Sequence, residues 1–310
     1  MTKTHFDLII LGSGPAGLTA GLYAARARID HLLIEKGAAG GQVLLTDWVD
    51  NYPGFPDGLS GFELAEKMET HAKRFGLNTL TANIISMDLS QTPKRLTTED
   101  GAQLSCNALI ICTGARPQLL GIPGEVEFTG KGVSYCATCD APFYRNMHVA
   151  VVGGGNTAVQ EASHLTKFAS RVTLIHRRDT LRATKIVQER AFANDKIDFI
   201  WNSQITAIEG EKGVEQIRLK DTSGKETTLA VDGVFILIGV IPNSEALPLQ
   251  LLKAEHGGFI PTDNETRTAI PGVMAAGDIR SKEVRQIVNA AGEGATAVLA
   301  AEQYLNNSTL

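Results

Sequence analysis

Short apolar runs alternate with glycine-rich turns and alanine-rich stretches in the first part of the chain. Residues 6–11 form an apolar run that predicts a buried strand, and residues 16–27 have the alanine content of a helix. His31–Glu35 predicts a second strand that ends on an acid. A strand, a glycine turn, a helix and a strand in this order form the repeating unit of parallel α/β sheets.

The same order of elements recurs in the middle of the chain. Residues 149–152 predict a strand, residues 159–168 a helix and residues 171–175 a second strand. Two further apolar runs, 108–112 and 233–238, are each followed by a glycine and then, three residues later, by a proline. Because proline restricts the residue before it and ends regular strand pairing, we expect the chain to leave one domain after each run.

These two exits place domain borders near residues 116 and 244. The sequence therefore predicts an α/β fold with two Rossmann-like dinucleotide-binding domains. Residues 117–244 form a domain inserted into a discontinuous one, which consists of residues 1–116 and 245–310. We expect a strand at 272–278 and, after the segment 285–294, an alanine-rich helix to about residue 304 to complete the discontinuous domain.

Composition narrows the class of protein. A chain of 310 residues, 43% of them hydrophobic and 31 of them glycine, is long enough for two packed α/β domains. Its formal charge of −5 gives no general attraction to nucleic acid or to an anionic membrane. No apolar run approaches the ~20 residues of a membrane span, and no basic leader precedes the first strand. The sequence predicts a cytoplasmic protein with neither a membrane nor a nucleic acid as partner.

The first glycine turn has the spacing of a dinucleotide-binding loop. Its glycines serve a tight turn, the close approach of a pyrophosphate and close helix packing, while the helix N-terminus offers free N–H groups. Glu35 follows where such loops place an acid for a ribose hydroxyl. The predicted site residues of this loop are Gly12, Ser13, Gly14, Pro15, Ala16 and Gly17.

The second glycine turn ends differently. Where the ribose-binding acid would stand, the second strand is followed by His176, Arg177 and Arg178, with Arg182 nearby. Because guanidinium groups bind phosphate, this pattern favours NADPH over NADH, although a solvated charge cluster is the alternative. The residues of this loop are Gly153, Gly154, Gly155, Asn156, Thr157 and Ala158.

The four cysteines fall into two classes. Cys106 and Cys112 lie in or beside an apolar run and are expected to be inert core residues. Cys136 and Cys139 are two residues apart, upstream of the second glycine turn, as a redox pair would be. Asp140, directly after them, is either a general acid and base or a helix cap. No second ligand pair accompanies this C-x-x-C, so we expect no metal site.

Together these motifs resemble those of the bacterial low-molecular-weight thioredoxin reductases, which contain FAD. The resemblance extends from residue 6 to about residue 304. Its motifs are Gly12-x-Gly14-x-x-Gly17, Gly40-Gly41-Gln42, Asn51-Tyr52-Pro53-Gly54, Thr113-Gly114-Ala115, Cys136-Ala137-Thr138-Cys139-Asp140, Gly153-Gly154-Gly155-Asn156-Thr157-Ala158, His176-Arg177-Arg178, Gly277-Asp278 and Arg285-Gln286.

The resemblance implies FAD in the discontinuous domain, NADPH in the inserted one, thioredoxin as the protein substrate, and a homodimer. It also implies that Cys139 faces the flavin, that Cys136 attacks the substrate disulfide, and that the inserted domain rotates between the two half-reactions. From its own context Asp278 is either a turn cap or a ligand of the flavin sugar alcohol. The other flavin-binding residues so implied are Gln42, Asn51, Thr113, Gly114, Arg285 and Gln286.

Other functions of the same fold remain open at this point. A related flavin enzyme can reduce another redoxin or a peroxidase, and a flavin NADPH reductase can deliver electrons to a metalloprotein without using the dithiol. A dinucleotide-binding sensor is the least enzymatic alternative. Fold alone does not separate these functions, so the distinction depends on the dithiol and the arginines.

Overall fold

The computed structural model describes residues 3–255 and 257–308. The strands are β1 (His5–Leu11), β2 (His31–Glu35), β3 (Thr79–Thr81), β4 (Ile84–Asp88), β5 (Lys94–Thr98), β6 (Gln103–Ile111), β7 (Ala115–Pro117), β8 (Val133–Ser134), β9 (His148–Val152), β10 (Arg171–Ile175), β11 (Ile197–Ile200), β12 (Ser203–Glu209), β13 (Gln216–Asp221), β14 (Glu226–Ala230), β15 (Gly233–Ile236), β16 (Val240–Pro242) and β17 (Val273–Ala275). The α-helices are α1 (Pro15–Arg26), α2 (Gly61–Arg74), α3 (Ala137–Asp140), α4 (Asn156–Leu165), α5 (Lys185–Phe192) and α6 (Ile287–Ser308), and single 3-10 turns cover Gly41–Leu45 and Ala141–Tyr144.

Contacts within the chain define two compact units. The first unit combines the residues up to Arg116 with those from Ile241 onward, and the inserted unit is Pro117–Val240. The chain passes between the units through β7 and β16, which pair with each other as a two-stranded sheet. Two connecting strands, rather than one, therefore link the units.

The first unit is built on a seven-stranded sheet with the order β3-β2-β1-β6-β5-β4, and β17 also pairs with β6. The pairs β2–β3, β1–β2, β1–β6 and β6–β17 are parallel, whereas β5 runs antiparallel to β4 and to β6. The carboxyl ends of β1, β2, β6 and β17 therefore lie along one edge of the sheet, where α/β proteins bind their ligands.

The inserted unit repeats the central part of this design. Its five-stranded sheet has the order β11-β10-β9-β15-β8, with parallel pairing throughout. The antiparallel sheet β12-β13-β14 is added to it. In both units the first strand lies between the second strand and a later one, which confirms the prediction of two Rossmann-like folds.

Alternating residues of the central strands pack on opposite faces of each sheet, because side chains project with a period of two. Leu8 and Ile10 of β1 belong to one core cluster of the first unit, and Ile9 and Leu11 to the other. Such strands are covered on both faces, which explains why the sequence shows continuous apolar runs rather than alternation.

Several elements differ from their predicted bounds, and three of the differences have a clear structural cause. Helix α4 begins at Asn156 rather than at 159, because Gly155 is already its N-cap. Helix α6 begins at Ile287 and continues through Gly294, where a Cβ atom would lie 2.1 Å from the carbonyl oxygen of Ala16. Gly294 thus permits close helix packing instead of marking a break. Strand β17 is shorter than predicted, since Gly277 turns the chain with φ of 81°.

Candidate functional site

The first glycine loop has the steric constraints that the sequence predicts. Gly12 has φ of 101°, and a Cβ atom there would lie 2.5 Å from the carbonyl oxygen of Cys112. A Cβ atom on Gly17 would lie 1.8 Å from the carbonyl oxygen of Gly12. Gly14, by contrast, faces open space. Gly12 brings the turn against Cys112, Gly17 brings α1 against the turn, and Gly14 leaves room above it.

Helix α1 starts at this loop with its first N–H groups uncapped. Gly14 is the N-cap, Pro15 is the first helical residue, and no side chain caps the helix. The first turn contains no acidic residue. The N–H groups and the helix dipole therefore favour an anion at this position. Ala16, which is buried, is the next residue of this turn.

Glu35 at the end of β2 lies against the same loop. Its Oε2 accepts hydrogen bonds from the backbone N–H and the hydroxyl group of Ser13, both at 2.8 Å, and its Oε1 accepts one from the N–H of Gly37 at 3.0 Å. The acid is thus fixed beside the glycine loop, as its spacing in the sequence suggests.

Buried polar atoms without a hydrogen-bond partner lie in the first unit. Within the described ranges they include Thr113 Oγ1, Asp278 Oδ1 and Arg285 Nε. Burial raises the pKa of Asp278 and lowers that of Arg285. The Arg285 guanidinium lies 4.6 Å above the ring of Phe259. Because proteins rarely leave buried polar atoms unsatisfied, these atoms indicate a polar ligand.

Further predicted residues come from distant parts of the chain. The amide of Asn51 donates to Gln286 Oε1 at 3.2 Å, which joins a loop near the N-terminus to the start of α6. Gln42 is exposed on the turn Gly41–Leu45. This turn lies against the glycine loop, since a Cβ atom on Gly41 would lie 3.2 Å from the Cα of Gly14.

Glu293 of α6 was not predicted from the sequence. Its carboxylate accepts hydrogen bonds from the N–H of Gly277 at 2.7 Å and from Lys282 Nζ at 3.1 and 3.2 Å, and it pairs with Arg280 at 2.8 Å. Lys282 Nζ also lies 3.5 Å from Asp278 Oδ1. This largely buried group of charges fixes the turn that contains Asp278. In the sequence, Glu293 stands between Gly292 and Gly294, and this close spacing of glycines is the local pattern that could have pointed to it.

The second glycine loop closes on its own sheet. A Cβ atom on Gly153 would lie 2.5 Å from the Leu237 carbonyl oxygen, whereas Gly155 faces open space. Helix α4 has no side-chain cap and no acidic residue in its first turn. The side chain of Asn156 accepts a hydrogen bond from the Thr184 N–H at 2.8 Å, and Thr157 is exposed in the first helical turn. This helix start therefore favours an anion, as α1 does.

The basic residues after β10 lie around this loop. The N–H of Arg182 donates to the Gly154 carbonyl at 2.7 Å, and a Cβ atom on Gly154 would lie 2.2 Å from the ring of His176. Burial lowers the pKa of His176, and the neighbouring arginines lower it further. The side chains of Arg177, Arg178 and Arg182 are exposed, and none of them forms an ion pair with a residue of 3–255 or 257–308. These three guanidinium groups are available to an external anion.

Cys136 and Cys139 form a disulfide, with their Cα atoms 5.3 Å apart. Both are half-buried and lie at the start of α3, where Cys136 is the N-cap. The N–H of Cys139 donates to Cys136 Sγ at 3.2 Å. A donor directed at this sulfur favours its thiolate form when the pair is reduced.

Ser134, at the end of β8, connects the dithiol to Asp140. Its hydroxyl group accepts the N–H of Cys136 at 3.1 Å and donates to Asp140 Oδ2 at 2.6 Å. Ser134 is 4% exposed, so this contact is shielded from solvent. Asp140 is therefore tied to the redox pair by a serine that the sequence analysis did not single out, although Ser134 is only two residues before Cys136.

The other two cysteines are buried, as predicted. Burial raises the pKa of the Cys106 thiol to about 12 and that of Cys112 above its usual range. Among the described residues, no group of three or more potential ligands has the arrangement of a metal site. Likewise, no helix in the described part of the chain combines the length and apolar content of a membrane span.

Comparisons with known proteins place the whole chain in one family. Residues 6–294 match the family described as pyridine nucleotide-disulphide oxidoreductase. The thioredoxin reductase of Peptoclostridium acidaminophilum is 47% identical, with 97% of each chain aligned, and that of Treponema pallidum is 45% identical, with 98% of each chain aligned. The crystal structure of thioredoxin reductase from Streptococcus pyogenes superposes with a TM-score of 0.94 at 44% identity, covering 99% of this chain and 100% of that one.

Proposed function

We propose that this chain, which belongs to the pyridine nucleotide-disulphide oxidoreductase family, is a thioredoxin reductase that uses FAD and NADPH. The observation that carries this function is the Cys136–Cys139 disulfide, located in the same unit as a glycine loop that contacts the basic segment 176–182. The reaction converts NADPH, a proton and the disulfide of thioredoxin into NADP⁺ and the dithiol of thioredoxin. Residues of both units serve this reaction.

The first unit contains the residues that would hold FAD. The open loop at Gly14 and the free N–H groups of α1 suit the pyrophosphate, and Glu35 suits a ribose hydroxyl. The unpartnered atoms of Thr113, Asp278 and Arg285 fit a polar cofactor, and we assign Gln42, Asn51, Gly114 and Gln286 to the same site. FAD, when bound, accepts a hydride from NADPH and passes two electrons to a disulfide.

The inserted unit contains the residues that would hold NADPH. The N-terminus of α4, with Gly153, Gly155, Asn156 and Thr157, suits the pyrophosphate. His176 also has a buried Nε2 atom without a partner among the described residues. The 2′-phosphate would bind Arg177, Arg178 and Arg182, whose guanidinium groups are exposed and form no ion pair within the described part of the chain.

The reduced dithiol would then exchange with thioredoxin. The Cys136 thiolate attacks one sulfur of the thioredoxin disulfide, forms a mixed disulfide, and releases the other sulfur as a thiolate that takes up a proton. The Cys139 thiolate attacks Cys136 Sγ, restores the enzyme disulfide and releases the second thioredoxin thiol. Asp140, held by Ser134, is placed to donate and accept these protons.

Three further features belong to this proposal. The inserted unit rotates about the paired connections β7 and β16, because a nicotinamide and a disulfide cannot occupy one flavin face together. The enzyme is a cytoplasmic homodimer.

The function is tested by anaerobic stopped-flow reduction of the purified holoenzyme with NADPH and with NADH, followed by oxidised thioredoxin. We expect rapid bleaching of the flavin by NADPH, slow bleaching by NADH, and reoxidation by thioredoxin. In Cys136→Ser, bleaching should persist while thioredoxin-dependent reoxidation falls by more than ~1000-fold, because the attacking sulfur is lost.

Two outcomes would change the assignment. Bleaching without reoxidation by thioredoxin in the wild type would move the function to another redoxin. Full thioredoxin reduction by Cys136→Ser would contradict the dithiol route itself.

A further inference from the structure

A carboxylate from α4 binds the residue between the two redox cysteines. Glu161 Oε2 accepts the backbone N–H of Thr138 at 2.9 Å, and Glu161 Oε1 accepts the hydroxyl group of Thr138 at 3.0 Å. Both oxygens of the acid are therefore engaged by one residue of the C-x-x-C segment.

Packing of the two helices places this acid. Ala158, Ala162 and Leu165 are fully buried on one face of α4, in the same core cluster as Ala137 and Ala141 at the two ends of α3. Glu161 is three residues after Ala158 and four before Leu165, and it is half-buried, so it lies at the border of this apolar face. The acid can reach Thr138 because the alanines allow the two helices to approach closely.

The dithiol segment is thus held on two sides. Ser134 binds the N–H of Cys136 and the carboxylate of Asp140 on one side, and Glu161 binds Thr138 on the other. In the first turn of α3, the N–H of Cys139 points at Cys136 Sγ while the preceding N–H points at Glu161. One helix donor therefore stabilises a sulfur anion, and its neighbour is occupied by a fixed negative charge.

We propose that Glu161 is a positioning residue of the dithiol, and that its negative charge limits thiolate formation in the reduced pair. When the disulfide takes up two electrons and two protons, it becomes two thiols, and loss of either proton adds a negative charge near the acid. A like charge nearby disfavours ionisation of a thiol. Two further titratable groups near the pair in the described part of the chain are Asp140 on α3 and Tyr144 in the following turn; burial and the charge of Asp140 raise the pKa of Tyr144.

The test compares three variants of the holoenzyme after reduction with dithiothreitol and anaerobic removal of the reductant. Alkylation of Cys136 and Cys139 by iodoacetamide is followed against pH by peptide mass spectrometry, which gives the thiol pKa without turnover. Glu161→Gln removes the charge, although its amide still accepts the N–H of Thr138 and donates to its hydroxyl group. Glu161→Ala removes the charge and the hydrogen bonds to Thr138. Glu189→Gln, which removes an exposed charge of α5, is the matched control.

We expect Glu161→Gln and Glu161→Ala to lower the pKa of the more reactive thiol by about 0.5, with no change in Glu189→Gln. Turnover with thioredoxin should separate positioning from charge. We expect kcat to fall about fivefold in Glu161→Ala and to return to within about twofold of the wild type in Glu161→Gln, because the amide restores the tie to Thr138.

A thiol pKa in Glu161→Gln equal to that of the wild type would overturn the role of the charge. Equal kcat values in Glu161→Ala and the wild type would overturn the positioning role. This inference rests on the proposed function, so the experiment must distinguish a failure of the inference from a failure of the proposed function. If the wild-type cysteines are alkylated only after unfolding, both the role of Glu161 and the proposed function are overturned. If they are alkylated normally but thioredoxin is not reduced, only the assignment of thioredoxin as partner is overturned. The thiol pKa values then still decide the role of Glu161.

Discussion

The two nucleotide-binding units share one backbone design and differ in how they present their ligand groups. In each, a strand runs through a glycine turn into an uncapped helix, and an open glycine marks the helix start. In the first unit, the candidate groups are drawn from both ends of the chain, and several are buried and unpartnered. In the inserted unit, they fall between residues 153 and 182; the arginines are exposed, and His176 Nε2 is the one buried atom among them that has no hydrogen-bond partner within the described residues.

This difference corresponds to two kinds of binding. Buried polar atoms from distant segments surround a group that stays in place, because they cannot be satisfied when the site is empty. Exposed guanidinium groups remain hydrated without their ligand, so a dinucleotide can bind and leave at every turnover. The first unit is thus suited to a resident cofactor and the inserted unit to an exchanging substrate.

The largest effect is expected from a glycine of the first unit. In Gly17→Ala the new methyl group would lie 1.8 Å from the Gly12 carbonyl oxygen, so α1 must move away from the glycine loop. We expect the free energy of unfolding to fall by about 3 kcal/mol and FAD to be lost. Urea titration and the visible flavin absorbance per chain measure both.

Gly14→Ala is the matched control, because a Cβ atom there meets nothing within 4 Å. Its loss of stability should stay below about 1 kcal/mol, the usual cost of alanine at an N-cap. Equal losses in the two variants would show that backbone contact does not set the shape of this loop.

An intermediate effect is expected from the arginines of the inserted unit. In the double variant Arg177→Ala and Arg178→Ala, we expect KM for NADPH to rise about 30-fold and KM for NADH to stay unchanged, because only NADPH has a 2′-phosphate. Steady-state kinetics with both coenzymes measures this, and Arg190→Ala, an exposed arginine of α5, is the control. A parallel rise for NADH would mean that these side chains do not discriminate between the coenzymes.

The smallest effect concerns Asp278 and tests the cost of a buried carboxyl group, whose Oδ1 atom lies 3.5 Å from Lys282 Nζ but accepts no hydrogen bond from the described residues. Burial raises its pKa, so the folded FAD-free protein loses stability as pH rises through that pKa and the carboxyl group ionises. At neutral pH, Asp278→Asn should therefore raise the free energy of unfolding by about 0.5 kcal/mol, measured as unfolding at higher urea concentration. The effect is small because 33% of the Asp278 side chain remains exposed and solvent screens the charge.

This gain should disappear as pH falls toward the ordinary carboxyl range, where Asp278 is protonated, and FAD should bind the variant more weakly. Urea titrations across pH and fluorescence titration with FAD provide the two measurements. A variant that is less stable at neutral pH would show that the ion pair with Lys282 outweighs burial.

Much of the fold followed from local patterns in the sequence. The strands β1, β2, β9 and β10 and both glycine loops lie where apolar runs and glycine spacing placed them. The sequence also predicted the two buried cysteines, the dithiol, and the acid or arginines that follow the second strand of each unit. Each is set by neighbours within a few residues, through strand and helix periodicity or through the turn that only glycine permits.

The tertiary structure alone decided which side chains support these motifs. Glu161 meets Thr138, Glu293 meets the turn of Asp278, and Asn51 meets Gln286 only after helices pack on sheets. A polar residue at the edge of an apolar helix face has the same local pattern whether it points to water or to a catalytic segment. Its partner is fixed by helix approach across the core, which depends on residues far away in the sequence.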